Sequence, residues 1–324
     1  MSYNWGIIGT GNIAQKMADA LREVKGANLI SVFSRTKENA KRFAKSYKLK
    51  TYENNIDQFL ANKKLDVVYI ATPHPNHKSE TIKSLKAGKH VLCEKPMGIN
   101  QKEVADMIDL AKSKKLLLME AMWTHFFPAI IKARKIIKDG EIGEVRMLDA
   151  RFSFLGSQNP LDRKLNKELG GGALLDVGIY PIFFAQMLFD DFPVEISGQA
   201  HIGKTGVDEI STYLLKYNDG RLAKLASGVS LHTPSNAFIF GTDGYIKIPQ
   251  FWQPDKIVLH KNGKEKKFKF KRLGNGYTYE VMHFHELLEK GKTESDVISF
   301  SKSSDVIQIM DEIRRQIGLK YPKE

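Results

Sequence analysis

The chain has 324 residues, a net charge of +13, and hydrophobic and charged fractions of 42% and 27%. Those proportions exclude a disordered or fibrous chain, and the length suits two domains of ordinary size. No run of about 18 apolar residues occurs, so no membrane span is expected. The N-terminus does not read as a secretory signal, because Gly9, Gly11, Asn12 and Gln15 interrupt it early. The only cysteine is Cys93. An internal disulfide is therefore impossible, and a reducing cytoplasm is the expected setting. The lysines are scattered, apart from Lys261, Lys264, Lys266, Lys267, Lys269, Lys271 and Arg272. Lys267, Lys269 and Lys271 alternate with Phe268 and Phe270, as on a half-exposed strand. No nucleic-acid partner is expected, since no zinc-finger or RNA-recognition signature accompanies this basic stretch.

In chain order, strands are predicted at Trp5–Ile8, Asn28–Phe33, Leu65–Ala71, His90–Cys93 and Leu116–Met119. Helices are predicted between them at Ile13–Leu21, Lys37–Tyr47, Asn76–Ala87 and from Asn100 to about Lys114. Asn100 with Glu103 has the spacing of a capping box. Strand and helix in alternation imply a parallel sheet with right-handed crossovers. The texture changes near residue 123. A helix at Pro128–Lys138, a strand at Val145–Phe154 and a helix at Ala173–Phe189 follow. From Glu195 to Lys271, short apolar runs are separated by Asn218-Asp219-Gly220, Thr242-Asp243-Gly244 and Asn262-Gly263. That is the pattern of an antiparallel sheet. Helices near Tyr279–Glu289 and Ser303–Ile317 close the chain. The expected domains are 1–122 and 123–324, with the last helix free to pack back on the first. The second is an α+β unit whose open sheet has a face needing cover, which favours a homodimer or higher homo-oligomer.

Gly9-Thr10-Gly11-Asn12-Ile13-Ala14 fits the dinucleotide fingerprint G-x-G-x-x-G/A, directly after a strand and at the opening of a helix. Gly9 permits the tight turn. Gly11 lets the main chain approach a pyrophosphate, and Asn12 and Ile13 begin the helix whose N–H groups face the phosphates. An NAD site carries an acid near the end of the second strand, on the ribose 2′-hydroxyl. Here that strand ends Phe33-Ser34-Arg35-Thr36. Arg35 can pair with a 2′-phosphate, and Ser34 and Thr36 can donate hydroxyls to it, so NADP(H) is expected in preference to NAD(H).

Three further segments are distinctive: Ala71-Thr72-Pro73-His74-Pro75-Asn76-His77, Glu94-Lys95-Pro96, and Gly170-Gly171-Gly172-Ala173-Leu174-Leu175-Asp176-Val177-Gly178-Ile179-Tyr180. With the glycine motif they resemble the glucose–fructose oxidoreductase/inositol dehydrogenase (Gfo/Idh/MocA) family. Glu120-Ala121-Met122-Trp123-Thr124-His125-Phe126-Phe127-Pro128 and the Tyr180 segment are similar to its dihydrodiol/D-xylose dehydrogenase branch. The resemblance implies a Rossmann domain followed by a domain with a large open sheet, with the nicotinamide between them. It implies a sugar or cyclic polyol substrate, a catalytic Lys95, and a cis peptide before Pro96. Most relatives carry D-x-x-x-H where this chain has Asp176-x-x-x-Tyr180, as the branch does. The branch's Trp-Thr-Arg is replaced by Trp123-Thr124-His125.

Oxidising a hydroxyl needs a base at its proton, and reducing a carbonyl needs an acid there. Asp176 and Tyr180 are four apart on a predicted helix and share a face. Tyrosine titrates near about 10, and a neighbouring ammonium would stabilise its phenolate. Tyr180 is therefore read as proton donor or acceptor, Lys95 as its electrostatic partner and substrate hydrogen bonder, and Asp176 as the group orienting substrate or Lys95. The roles of Lys95 and Tyr180 can also be exchanged. Trp123, Phe152 and Phe154 are candidates for an aromatic wall against the substrate, with core packing the plain alternative. Thr72, Pro73, His74 and His77 follow a central strand, where ligands bind in open α/β sheets, and Glu94 stands beside Lys95 at the cofactor. His283-x-His285 does not have metal-ligand spacing on a helix, and no cluster argues for zinc. A catalytically silent NADP(H)- or sugar-sensing protein on the same fold is the competing class.

Overall fold

The computed structural model describes every residue except Lys323. The chain divides into two compact units, each built on one sheet. The first comprises residues 1–98, 102–123 and 272–303, and the second residues 99–101, 124–271 and 304–324.

The first unit carries β1 (Tyr3–Ile8), α1 (Asn12–Glu23), β2 (Ala27–Phe33), α2 (Lys37–Tyr47), β3 (Thr51–Glu53), α3 (Ile56–Leu60), β4 (Val67–Ile70), α4 (His77–Lys86), β5 (His90–Glu94), α5 (Gln101–Lys114) and β6 (Leu118–Ala121). The strands form a parallel six-stranded sheet in the order β3-β2-β1-β4-β5-β6. Every residue of β4 is buried, as expected where helices cover both faces and a strand reads Val-Val-Tyr-Ile without alternation. The chain runs outward from β1 through β2 to β3, then returns to lay β4 on the other side of β1. That reversal opens a crevice at the carboxyl ends of β1 and β4, where open α/β sheets bind ligands.

The second unit carries α6 (Pro128–Lys138), β7 (Val145–Ser153), α7 (Ile179–Phe189), β8 (Glu195–Ile202), β9 (Asp208–Lys216), β10 (Leu222–Gly228), β11 (Ala237–Gly241), β12 (Gly244–Ile248), β13 (Lys256–Lys261) and β14 (Lys264–Lys269). The eight strands lie in the order β14-β13-β12-β11-β7-β10-β9-β8, antiparallel except for β10 against β7. α7 packs against β7 and β10 with ten of its eleven residues buried. The helical run Lys167–Phe189 is long and apolar enough to cross a membrane by length and composition, but 94% of its most apolar 18-residue stretch is inside the protein. It is read here as a core helix, hydrophobic all round because protein surrounds it.

Two short elements escape the periodicity reading, β3 and α3. Neither is long enough to show a repeat; α3 is recognisable only by Asn55, whose side chain accepts from the Asp57 and Gln58 N–H groups. The larger difference concerns α8 (Thr278–Glu289). Residues 272–303, assigned by sequence to the second domain, pack on the first unit. The Trp5 indole N–H of β1 donates to His285 Nε2 at 3.1 Å, and Asn275 donates to the Lys16 carbonyl on α1 at 2.7 Å. The closing helix, α9 (Phe300–Ile317), lies with the second unit from Ser304 onward. There Gln316 donates to the Ile196 carbonyl and accepts from Gly198 N–H, both at 2.8 Å. Those bonds occupy polar groups that edge strand β8 would otherwise leave open.

Candidate active site

The glycine turn sits at the reversal between β1 and β4. Gly9 has φ +115°, and a Cβ there would lie 2.5 Å from the Ala71 carbonyl oxygen, so only glycine fits between the two strand ends. At Gly11 an added Cβ would meet nothing within 4 Å. Gly11 also caps α1, with no side-chain hydrogen bond to the helix N-terminus and no acid in the first turn. The first N–H groups of α1, at Asn12 and Ile13, are therefore offered to an incoming ligand, and the positive end of the helix favours an anion. These residues fit the pyrophosphate of a dinucleotide.

At the end of β2, Thr10 donates to Ser34 Oγ at 3.4 Å, and Arg35 and Thr36 are exposed. No acid occupies Ser34-Arg35-Thr36. Thr72 donates to Glu80 on α4. Burial pushes the Glu80 carboxyl up to about 7, while the Thr72 hydroxyl and the charges of Arg35 and Lys83 pull it back.

Thr72 and Pro73 lead into a 3-10 turn, His74–Asn76, in which His74 is buried. His77 opens α4 and is fully buried. Its Nδ1 lies 2.8 Å from the Pro96 carbonyl and its Nε2 2.9 Å from the Thr72 carbonyl. The ring thus links the turn after β4 to the turn after β5. The peptide between Lys95 and Pro96 is cis, as the resemblance implies. Glu94 accepts from the Tyr69 hydroxyl with one oxygen and from the Lys95 N–H at 3.2 Å with the other. Lys95 is half-buried. Glu280, in the first turn of α8, is fully buried near Glu94, and neither of its oxygens has a hydrogen-bond partner among the described residues. Burial and the Glu94 charge push its carboxyl up, and the same neighbours push up the buried Tyr69 phenol. Trp123 stacks on Tyr277, ring centroids 4.2 Å apart.

In the second unit, Tyr180 lies in the first turn of α7 and is 7% exposed. Its ring meets Phe152 edge-on at 5.3 Å. Phe152 stacks on Trp252 at 4.8 Å and tilts toward Phe154 at 6.2 Å. The Thr124 hydroxyl donates to the Trp252 carbonyl at 2.7 Å. His125, which replaces the branch's arginine, is buried against the Phe183 ring. The helix expected from Ala173 begins as a π-helix over Leu174–Gly178. A π turn is wider than an α turn, so the four-residue spacing of Asp176 and Tyr180 does not give simple face-sharing. Asp176 instead receives Arg163, whose guanidinium donates to Oδ1 at 2.9 Å. Crowding explains the glycine at position 171. A Cβ on Gly171 would lie 2.7 Å from the Arg163 and Lys164 carbonyls. Asp208, on β9, accepts from the Leu174 N–H at 2.7 Å and from Ser211, and burial pushes its carboxyl up to about 7.

Sequence reasoning assigned no role to Arg163, Trp252, Tyr277, Glu120 or Glu280. Trp252 and Tyr277 lie far in sequence from their ring partners, and no local spacing announces them. Glu120 stood within a motif already singled out. His283 and His285 bond separately, to Ser295 and Trp5, and no group of metal ligands occurs among the described residues.

Residues 3–122 match the family described as "Oxidoreductase family, NAD-binding Rossmann fold", and residues 130–247 match the GFO/IDH/MocA C-terminal domain. The mouse trans-1,2-dihydrobenzene-1,2-diol dehydrogenase is 35% identical, covering 100% of this chain and 99% of the relative. The Xenopus tropicalis protein of the same name is 34% identical over 99% of this chain and 100% of its own length. A 3-ketoreductase from Actinomadura kijaniata, solved with NADP and TDP-benzene, superimposes with a TM-score of 0.89 at 24% identity, covering 98% of both chains. Levoglucosan dehydrogenase, solved with NADH and levoglucosan, gives 0.89 at 20% identity and the same coverage. At such identities the structural likeness speaks to the fold.

Proposed function

The chain belongs to the GFO/IDH/MocA family of oxidoreductases, and we propose that it is an NADP(H)-dependent dehydrogenase or reductase of a sugar or cyclic polyol. The reaction moves hydride to or from a CH–OH or carbonyl carbon of aldose or trans-dihydrodiol type. The observation that carries the reading is the glycine turn: forced at Gly9 by Ala71, open at Gly11, and set at the sheet's reversal. Full-length likeness to trans-dihydrodiol dehydrogenases supports the substrate class.

Bound NADP(H) supplies the hydride acceptor or donor. Ser34, Arg35 and Thr36 receive the 2′-phosphate, and Gly9, Gly11, Asn12 and Ile13 the pyrophosphate. Thr72, Pro73, His74, Glu94 and Lys95 frame the nicotinamide end, with His77 bracing their two turns. Tyr180 holds or releases the proton of the reacting hydroxyl, and Lys95 hydrogen-bonds the substrate oxygen. Asp176, steadied by Arg163, orients the substrate. Trp123 with Tyr277, and Phe152 and Phe154 with Trp252, offer flat apolar faces to a ring. The buried free thiol of Cys93 suits a reducing cytoplasm. The uncovered face of the second sheet serves a homodimer.

The test is nicotinamide absorbance with NADP+ and NADPH against trans-1,2-dihydrobenzene-1,2-diol, D-xylose and further aldoses, ketoses and cyclic diols. Turnover of at least one, faster with the phosphorylated cofactor, is expected. NADPH binding without turnover of any would replace the enzyme with a silent sensor.

A further inference from the structure

Glu120 lies in β6, is only 3% exposed, and has both carboxylate oxygens engaged. Oε1 accepts from the Met97 N–H at 2.8 Å, and Oε2 accepts from the Ser303 hydroxyl at 2.6 Å. Met97 is two residues beyond Lys95, in the same turn. Three other main-chain groups of that turn are also gripped: Lys95 N–H by Glu94, the Pro96 carbonyl by His77, and the Met97 carbonyl by the Cys93 thiol at 3.8 Å. Of these partners, Glu94 and Cys93 share the strand that leads into the turn, so they move with it. His77 and Glu120 come from other elements and tie the turn to the rest of the unit. Each also holds a further segment: His77 the turn after β4, through the Thr72 carbonyl, and Glu120 the start of α9, through Ser303. The Lys95 charge is felt at Glu120, where it draws down a carboxyl that burial has pushed up to about 7. Holding a buried carboxyl there is costly. A plain apolar residue would fill the space without that penalty, but it would leave the Met97 N–H without its acceptor.

We infer that Glu120 is a positioning residue for the reaction, fixing the Lys95 turn by taking the Met97 N–H while Ser303 holds its second oxygen. Glu120 acts through Lys95, so the inference rests on the catalytic reading of Lys95. Its grip is a hydrogen bond rather than a charge. Glutamine, which keeps an acceptor for Met97 and a group for Ser303, replaces it; alanine does not.

The experiment compares Glu120→Ala, Glu120→Gln, Lys95→Ala and the Glu120→Ala/Lys95→Ala double variant. Oxidation of trans-1,2-dihydrobenzene-1,2-diol by NADP+ is read beside hydrogen exchange at the Met97 amide. Glu120→Ala is expected to lower kcat about tenfold or more, with NADPH affinity within about threefold and Glu120→Gln within about threefold of the native kcat. In the Lys95→Ala background the Glu120→Ala change should add less than about twofold, because both act through one group. Met97 exchange should accelerate in Glu120→Ala and stay slow in Glu120→Gln and Lys95→Ala. Equal losses in the alanine and glutamine variants, multiplying effects in the double variant, or unchanged Met97 exchange would overturn the inference. If Lys95→Ala is as active as the native protein while Met97 loosens in Glu120→Ala, the reading of Lys95 fails and the grip itself stands. Should Glu120→Ala not fold, Ser303→Ala serves instead; a several-fold fall in kcat supports the inference and an unchanged kcat opposes it.

Discussion

Arg35 stands exposed at the end of β2, close enough for its charge to act on Glu80 of α4. A guanidinium with no acid beside it in the chain is available to a phosphate, and a bidentate pair adds geometry to charge. Arg35→Ala should lower kcat/KM for NADP+ by about tenfold or more and leave NAD+ within about threefold. Cofactor kinetics check it, and an unchanged NADP+/NAD+ ratio would remove Arg35 from the site. At this scale the glycines were legible because their demand is conformational: Gly9 at φ +115° is a backbone requirement that a sequence motif can encode. Tyr180 and Lys95 were singled out through resemblance, and their roles remain proposals. Arg163 was not, because its bond to Asp176 depends on how the loop before the π-helix folds. Trp252 and Tyr277 were hidden for a similar reason. Their ring partners Phe152 and Trp123 are brought to them by the fold rather than by spacing.

Among the elements, long periodic helices and buried strands were placed from the sequence almost to their ends. α2 and α6 run Lys37–Tyr47 and Pro128–Lys138 as expected. Strong amphipathic repeats leave little choice there. The π-helix was not legible, since 3.6-residue periodicity cannot distinguish a wide turn within an apolar run. Several elements also hold buried carboxyls that resist ionisation: Glu80 on α4, Glu120 on β6 and Asp208 on β9, each pushed up to about 7 by burial. The unfolded chain loses these protons near its ordinary carboxylate range, whereas the folded chain keeps them until about neutrality. Unfolding therefore releases protons across that window, and stability falls as pH rises from about 4 toward 7. The contribution is on the order of 3 kcal/mol per group. Urea unfolding at pH 5 and 7.5 should show the lower midpoint at pH 7.5, and Glu80→Gln should flatten the difference for the first unit. A midpoint that climbs steadily over this range would contradict the account.

For the whole molecule, the sheet of the second unit has one face under α7 and its π-helical start, and the other open. The open face carries Phe238 stacked with Phe240, Tyr245 stacked on His260, and Leu214, which is 59% exposed. An apolar, aromatic row on an uncovered sheet favours a symmetric partner surface. Light scattering should give a mass near twice 36.7 kDa, and Phe240→Lys should give a monomer; a monomeric native protein would refute the dimer. The two-part organisation was legible from the change in texture near residue 123. The return of residues 272–303 to the first unit was not, because Trp5 and His285 are paired by the fold across most of the chain.

The most direct measurement of the central claim is single-turnover hydride transfer by Tyr180→Phe, with NADPH binding followed separately. Loss of the phenol alone should slow transfer by about 10² or more while leaving NADPH affinity within about threefold. Transfer at the native rate would contradict the assignment of the proton to Tyr180.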